Sequence, residues 1–173
     1  MKEWFEGVRW DLFAEFCLDT EYLDCILDLM RNEKVRSMKR YVQHGGITCL
    51  EHCLFVSYVS YRVSRKWGLN SRAAARGALL HDFFLYDWHT ENPYGLRHAF
   101  RHPQAALRNA DRCFALTPLE REIIARHMWP LTFLPPRHPE ALIVSLADKY
   151  CALTETVKGN GGLLQTLQSR IFR

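Results

Sequence analysis

The 173 residues are 48% hydrophobic and 24% charged, long enough to bury a core without disulfide staples and too apolar for a disordered chain. Apolar runs such as 141–147 fall far short of the roughly 20 residues of a bilayer helix, and Met1-Lys2-Glu3-Trp4 lacks the apolar block of a secretory signal, so a cytoplasmic protein without membrane contact is expected. A formal net charge of +4 suits a small anionic substrate and gives no argument for specific nucleic-acid binding.

In chain order, Trp10, Leu12, Phe13, Phe16 and Cys17 cluster on one side of a first amphipathic helix. Asp19-Thr20 marks a break and a new N-cap before Tyr22, Ile26, Leu27 and Met30. Residues 34–40 form a basic, partly helical connector, and Gln43-His44-Gly45-Gly46 interrupts the pattern. Thr48 and Glu51 are spaced as a capping box, so a long helix runs from about Cys49 to Trp67 and stops at Gly68, with His52 in its first turns. Asn70-Ser71 caps the next helix. Its Ala73, Ala74, Ala75, Gly77 and Ala78 permit close packing, and it brings His81 and Asp82 to its C-terminal end.

Residues 83–101 are the least regular stretch, mixing aromatic and charged side chains around Pro93 and Gly95. His102-Pro103 reads as N-cap and first residue of a short helix through about Cys113. Thr117-Pro118-Leu119-Glu120 is a second capping box, opening a helix that carries Ile123, Ile124 and His127. Beyond a Pro-rich stretch, Pro139 begins a helix to about Val157, with Leu142, Ile143, Leu146 and Ala147 read as inward-facing and Asp148 on it. Residues 158–162 end that helix before an amphipathic tail of Leu163, Leu164, Leu167, Ile171 and Phe172. No stretch alternates with a period of two, so the fold is expected to be all-α. Six scattered cysteines without a C-x-x-C pair read as free thiols.

A helix that offers Ala78, Leu79 and Leu80 to a core has no packing reason to follow them with His81-Asp82. His52, His102, His127 and Asp148 keep that pair company, and four imidazoles with two carboxylates could hold two first-row divalent ions. Taken singly, each has another reading. His52 could be a half-buried core histidine, His102 an N-cap on the surface, His127 a cation at a helix C-terminus, and Asp148 an exposed charge.

The order His52, His81-Asp82, His102, His127, Asp148 resembles the HD superfamily of metal-dependent phosphohydrolases. The matching text is Thr48-Cys49-Leu50-Glu51-His52, Ala78-Leu79-Leu80-His81-Asp82 and Ala147-Asp148-Lys149. His102 and His127 look like the bimetallic branch, of which HD-GYP phosphodiesterases are one member. The resemblance covers residues 44–157, leaving 1–43 as a helical extension and 158–173 as a tail of one 173-residue domain. It implies a compact bundle of about six to eight helices holding two divalent ions, of Fe, Mn or Zn. His52, His81, Asp82 and Asp148 would hold one ion, and Asp82 would bridge to a second completed by His102 and His127.

The activity so implied is hydrolysis of a phosphomonoester or phosphodiester, of a nucleotide or another small phosphorylated metabolite, by a metal-bridging hydroxide. Asp82 is then catalytic, and Lys149 neutralises substrate phosphate or is a solvated helix charge. Arg97, His98 and Arg101 are candidates for a phosphate-facing patch and His44 for a substrate contact, beside plainer readings as a solvated basic loop and a structural loop histidine. The Gly-Tyr-Pro extension is absent, and Phe83-Phe84-Leu85-Tyr86-Asp87 stands where many HD hydrolases carry a Gly and a basic residue, so cyclic-dinucleotide specificity is not carried over. A mixed-valent di-iron HD-type oxygenase and a non-catalytic module binding a nucleotide or a partner helix are the alternatives. Oligomeric state is not legible in this pattern.

Overall fold

The computed structural model describes residues 19–44, 46–90 and 93–158. The expected first helix, Glu91 and the expected tail lie outside the described residues, as does the side chain of His44. Among the described residues there are seven α-helices and one two-stranded hairpin.

Helix α1 (Thr20–Met30) starts where Asp19 accepts a hydrogen bond from the Tyr22 amide at 3.0 Å, and it buries Tyr22, Ile26, Leu29 and Met30. Helix α2 (Glu33–Ser37) and a 3₁₀ turn (Met38–Arg40) form the basic connector. Strands β1 (Val42–His44) and β2 (Ile47–Thr48) then pair antiparallel, Val42 opposite Thr48 and His44 opposite Ile47. Their turn contains Gly46 at φ +84°, a conformation glycine adopts without cost. Among the described residues the hairpin is the one departure from an all-α chain. It is too short to show period-two alternation in sequence.

Helix α3 (Cys49–Lys66) opens with the expected reciprocal capping box, Thr48 and Glu51 satisfying each other's backbone amides. Helix α4 (Ser71–Leu79) is capped by Asn70. Helices α5 (His98–Cys113), α6 (Pro118–Arg126, with its Thr117–Glu120 box) and α7 (Pro139–Lys158) complete the bundle. Helices α3 and α4 pack against each other and contribute to two apolar clusters. One includes Ile26, Leu29 and Met30 of α1 and Ala105, Ala106 and Ala110 of α5; the other includes Ile123 of α6 and Ala141, Val144 and Cys151 of α7.

Two features lock α4 in place. A Cβ on Gly77 would lie 2.6 Å from Ile123 Cγ2, so α4 and α6 meet at a distance only glycine allows. Arg76, buried beside it, donates to Glu120 at 2.7 Å, to the Cys25 carbonyl at 3.0 Å, and to Asp28. One guanidinium thereby fastens α4 to both α1 and α6.

Two sequence expectations are corrected. Helix α5 begins at His98, so Pro103 lies inside it and His102 is a full turn beyond its start rather than its N-cap. A proline inside a helix removes one amide bond and crowds the carbonyl four residues back, a cost that this helix bears. Here the preceding turn is held by packing, His98 being set among Phe84, Tyr86 and Trp88. On α7, Leu142 and Leu146 face outward, 38% and 54% exposed. The buried face is Ala141, Val144, Asp148, Cys151 and Glu155, a 3-4-3-4 spacing that puts two carboxylates inside.

Candidate metal centre

Helix α3 contributes His52, and α7 contributes Asp148. Helix α4 ends at Leu79, and His81 and Asp82 follow in the turn just past its C-cap Leu80. Asn109 of α5 donates to the carbonyls of Phe83 and Phe84 at 2.9 and 3.2 Å, which fixes that turn. His102 comes from α5, and His127 is the C-cap of α6. All six side chains are buried.

Their orientation follows from what each Nδ1 faces. That of His81 lies 2.6 Å from the Ala78 carbonyl, that of His102 lies 3.1 Å from the His98 carbonyl, and that of His127 lies 2.8 Å from the Ile124 carbonyl. A carbonyl only accepts, so each Nδ1 carries the proton and each Nε2 turns a lone pair inward. Those lone pairs converge on Asp82. Its Oδ1 is 3.2 Å from His102 Nε2 and 3.6 Å from His127 Nε2, and its Oδ2 is 3.5 Å from His81 Nε2. His102 Nε2 and His127 Nε2 face each other at 2.8 Å. His81 Nε2 and Asp82 Oδ1 are buried without a hydrogen-bond partner among the described residues. Acceptors crowded this closely in a buried site could be satisfied by a metal cation between them.

On the other side His52 Nε2 lies 3.2 Å from Asp148 Oδ1, which is also 3.6 Å from His81 Nε2. Two groups, which share His81, each have ligand atoms that all lie within 4.8 Å of one another: His52–His81–Asp148 and His81–Asp82–His127. The donor set, imidazole nitrogen and carboxylate oxygen, suits first-row divalent ions. The residues present fit such ions.

Charges respond as the geometry requires. Burial pulls the His52 imidazole down, but Asp148 and Glu155 outweigh it and hold the group well above its ordinary range. Burial also pulls His81 down, and Asp82 and Asp148 overcome it with a net upward shift. His127, dominated by burial and facing His81 and His102, is pushed down to about 3, so it is a neutral donor and not the helix-end cation that its position allowed. Burial pushes both carboxylates up, but the imidazoles of His81 and His102 hold Asp82 well below the usual range and those of His52 and His81 do the same for Asp148.

The remaining candidates are placed as follows. Lys149 turns its ammonium onto the His127 carbonyl at 2.8 Å and onto the Ser145 carbonyl and hydroxyl at 3.1 and 3.3 Å, with Asp148 Oδ2 at 3.5 Å. It ties α7 to the end of α6 at the edge of the centre. His98 is half-buried, its ring stacked on His102 at 4.9 Å and on Trp88 at 5.4 Å, while its Nδ1 faces the Tyr86 hydroxyl at 3.1 Å. Burial, then His102, lowers it to about 4. Arg97 and Arg101 are exposed at the start of α5. Phe83 and Phe84 are core, while Tyr86 and Trp88 are partly exposed around His98.

Two residues of the centre escaped the sequence reading. Gln43 on β1 donates to Asp82 Oδ2 at 2.6 Å, and Glu155 on α7 meets His52 Nδ1 at 2.8 and 3.1 Å. Gln43 gave no signal, because the hairpin that aims it is only a few residues long. Glu155 did have one: it stands seven residues after Asp148, on the same face of one helix.

The family model for the HD domain matches residues 49–153 of the chain. A Bacillus subtilis (strain 168) protein named "Putative phosphohydrolase YueE" is 32% identical over 78 residues, a stretch that covers 45% of this chain and 43% of that relative. No solved structure matches.

Proposed function

The chain belongs to the HD domain family, and from that premise we propose that it is a phosphohydrolase working with two divalent ions, of Fe, Mn or Zn, held by His52, His81, Asp82, His102, His127 and Asp148. The observation that carries this reading is the 2.8 Å approach of His102 Nε2 to His127 Nε2 above the unpartnered Asp82 Oδ1. A single ion on the His52 side would leave that second set of acceptors facing one another. The name of the Bacillus subtilis relative supports the reaction class. Bound divalent ions would supply Lewis acidity, lowering the pKa of water and countering charge on a phosphoryl group.

The chain's own residues do the rest. Asp82 lies in the second ligand group, next to the His81 that both groups share, and would be the carboxylate common to the two ions, oriented by Gln43. Lys149 holds the His127 carbonyl and counters the charge of Asp148, and at the rim of the centre it is the candidate contact for substrate phosphate. Arg97 and Arg101, exposed one helical turn apart around His98, and the net charge of +4 favour an anionic substrate, a small phosphate ester such as a nucleotide. The unit that carries this activity is residues 44–157, within which the family match falls. Among the described residues no helix is long and apolar enough to cross a membrane.

The test is elemental analysis of protein purified without added metal, beside Asp82→Ala, followed by phosphate release from mono- and diesters with and without dioxygen. About two equivalents of metal, lost in the variant, and release independent of dioxygen are expected. One equivalent in the wild type removes His102 and His127 from the ligand set. Turnover that demands dioxygen overturns hydrolysis in favour of the oxygenase.

A further inference from the structure

The imidazoles of the centre are not anchored alike. His81 and His127 each donate from Nδ1 to a backbone carbonyl three residues earlier, which a helix end makes available, and His102 donates to the His98 carbonyl four residues earlier. His52 lies in α3, and its Nδ1 instead meets a carboxylate from another helix, both oxygens of Glu155 lying within 3.1 Å. Glu155 is itself buried. It follows Asp148 by seven residues, two turns and about 10 Å along α7. The His52 ring therefore lies along α7 with one nitrogen on each carboxylate.

The two carboxylates cannot have the same job. Asp148 Oδ1 is also 3.6 Å from His81 Nε2 and belongs to a group of converging ligand atoms. Glu155 is on the far nitrogen, behind the ring. Among the described residues this buried carboxylate meets a charge only through His52. An imidazole that ligates a cation through one nitrogen, with the other nitrogen donating to a carboxylate, is fixed in tautomer and ring angle and made a stronger donor. A carbonyl fixes the tautomer without adding a formal charge.

We propose that Glu155 is a positioning residue for the metal centre, holding His52 with its proton on Nδ1 and its lone pair on Nε2, and so makes the His52–His81–Asp148 half the tighter of two ion sites. The inference rests on the two-ion reading above and goes beyond it by assigning unequal affinities. The ion on the Asp82 side, with carbonyl-anchored His102 and His127, binds more weakly and independently of Glu155.

The experiment is isothermal titration of the full chain, stripped of metal, with Mn²⁺ and separately with Zn²⁺. Wild type is expected to show two steps. Glu155→Gln keeps the size and one acceptor oxygen but removes the charge, and weakens the tighter step roughly tenfold; Glu155→Ala weakens it toward a hundredfold. The weaker step stays within twofold. Against a His52→Ala background, Glu155→Gln changes the remaining affinity by less than twofold, a coupling that a general packing defect would not show. If Glu155→Ala fails to fold, the comparison of Glu155→Gln with wild type and with His52→Ala decides the matter.

Equal affinities in wild type and Glu155→Gln, or equal weakening of both steps, overturns the assignment of Glu155 and leaves the two-ion centre standing. A wild-type protein that binds neither ion overturns the centre itself.

Discussion

Replacing Gly77 with alanine tests whether the approach of α4 to α6 sets the geometry of the centre. The added Cβ would meet Ile123 Cγ2 at 2.6 Å and Ile123 Cβ at 2.8 Å. An ordinary contact is about 3.4 Å, so the helices must part by roughly 0.8 Å or Ile123 must leave its rotamer. Ile123 is β-branched and fully buried, and its clashing atoms sit next to its backbone, so it has little freedom to turn. Overpacking of this kind costs about 1–3 kcal/mol, against which alanine returns at most about 1 kcal/mol of helix propensity. A net loss of about 1–2 kcal/mol is expected, a fall in Tm of roughly 2–8 °C for a chain of this length.

The same displacement would part His81 and Asp82, at the end of α4, from His127, at the end of α6. The weaker metal step should therefore suffer more than the step at His52. Urea unfolding followed by circular dichroism, with Mn²⁺ titration on the same samples, reads both effects. Ile123→Ala should be costly alone, about 2–5 kcal/mol, and cost at least 1 kcal/mol less when Gly77→Ala accompanies it. A Gly77→Ala protein that melts at or above the wild-type temperature with unchanged metal binding would refute the reasoning, because helix propensity would then have outweighed the contact.

Arg76→Ala leaves Glu120 buried beside Gly77 and Ile123 without its partner, and should cost about 3–5 kcal/mol in urea unfolding; a loss below 1 kcal/mol would show that water reaches Glu120. Thr48→Ala removes the cap of α3 one turn before His52 and should cost about 0.5–2 kcal/mol, read by thermal melting, with no change in metal stoichiometry. Mn²⁺ affinity should rise with pH up to the raised pKa of His52 and level off above it, since the ion must displace a proton held there by Asp148 and Glu155. Linkage in the stripped protein gives a second pH signature. The stabilisation from protonated His52 is complete below 6.5 and lost as pH rises through its raised value, whereas that from neutral His127 is complete above 6.5 and lost as pH falls toward 3. An affinity flat from pH 6 to 9 would contradict the protonated state of His52.

Local signals were legible in the sequence and tertiary ones were not. Thr48/Glu51 and Thr117/Glu120 announce two helix starts because a capping box is satisfied within four residues. Gly77 among alanines announces a close helix crossing for a similarly local reason. Pro103 misled because proline at a first helical position and proline a turn later look the same, and the packing of His98 against Tyr86 and Trp88 decides between them. Helix α7 misled for a different reason. Ala141, Leu142, Ile143, Val144, Leu146 and Ala147 are spread round most of its circumference, so periodicity gives no sharp phase, and the phase adopted turns Asp148 and Glu155 inward while leaving Leu142 and Leu146 outside. The candidate ligands were recognisable as a set by their order, and the structure brings His52, His81, Asp82, His102, His127 and Asp148 together in one place. Gln43, which acts on those residues from behind, carries no pattern of its own, and Glu155 is marked only by its seven-residue spacing from Asp148 on one helix face.

The contact between His52 and Asp148 closes a loop of 96 residues, and that between His52 and Glu155 closes one of 103. Bringing ends together over such a span costs about 4 kcal/mol of chain entropy. The docking of α7 has to meet that cost before both halves of the centre exist. During synthesis, His52, His81, Asp82, His102 and His127 are all made before the helix that completes them, and no earlier length of chain presents the full set. An ion at 100 times its dissociation constant would then favour the finished fold over every shorter or looser state by about 2.7 kcal/mol. On the two-ion reading, occupancy of the His52 side would thus act as a late checkpoint on folding, available only when the chain has closed on itself through Asp148.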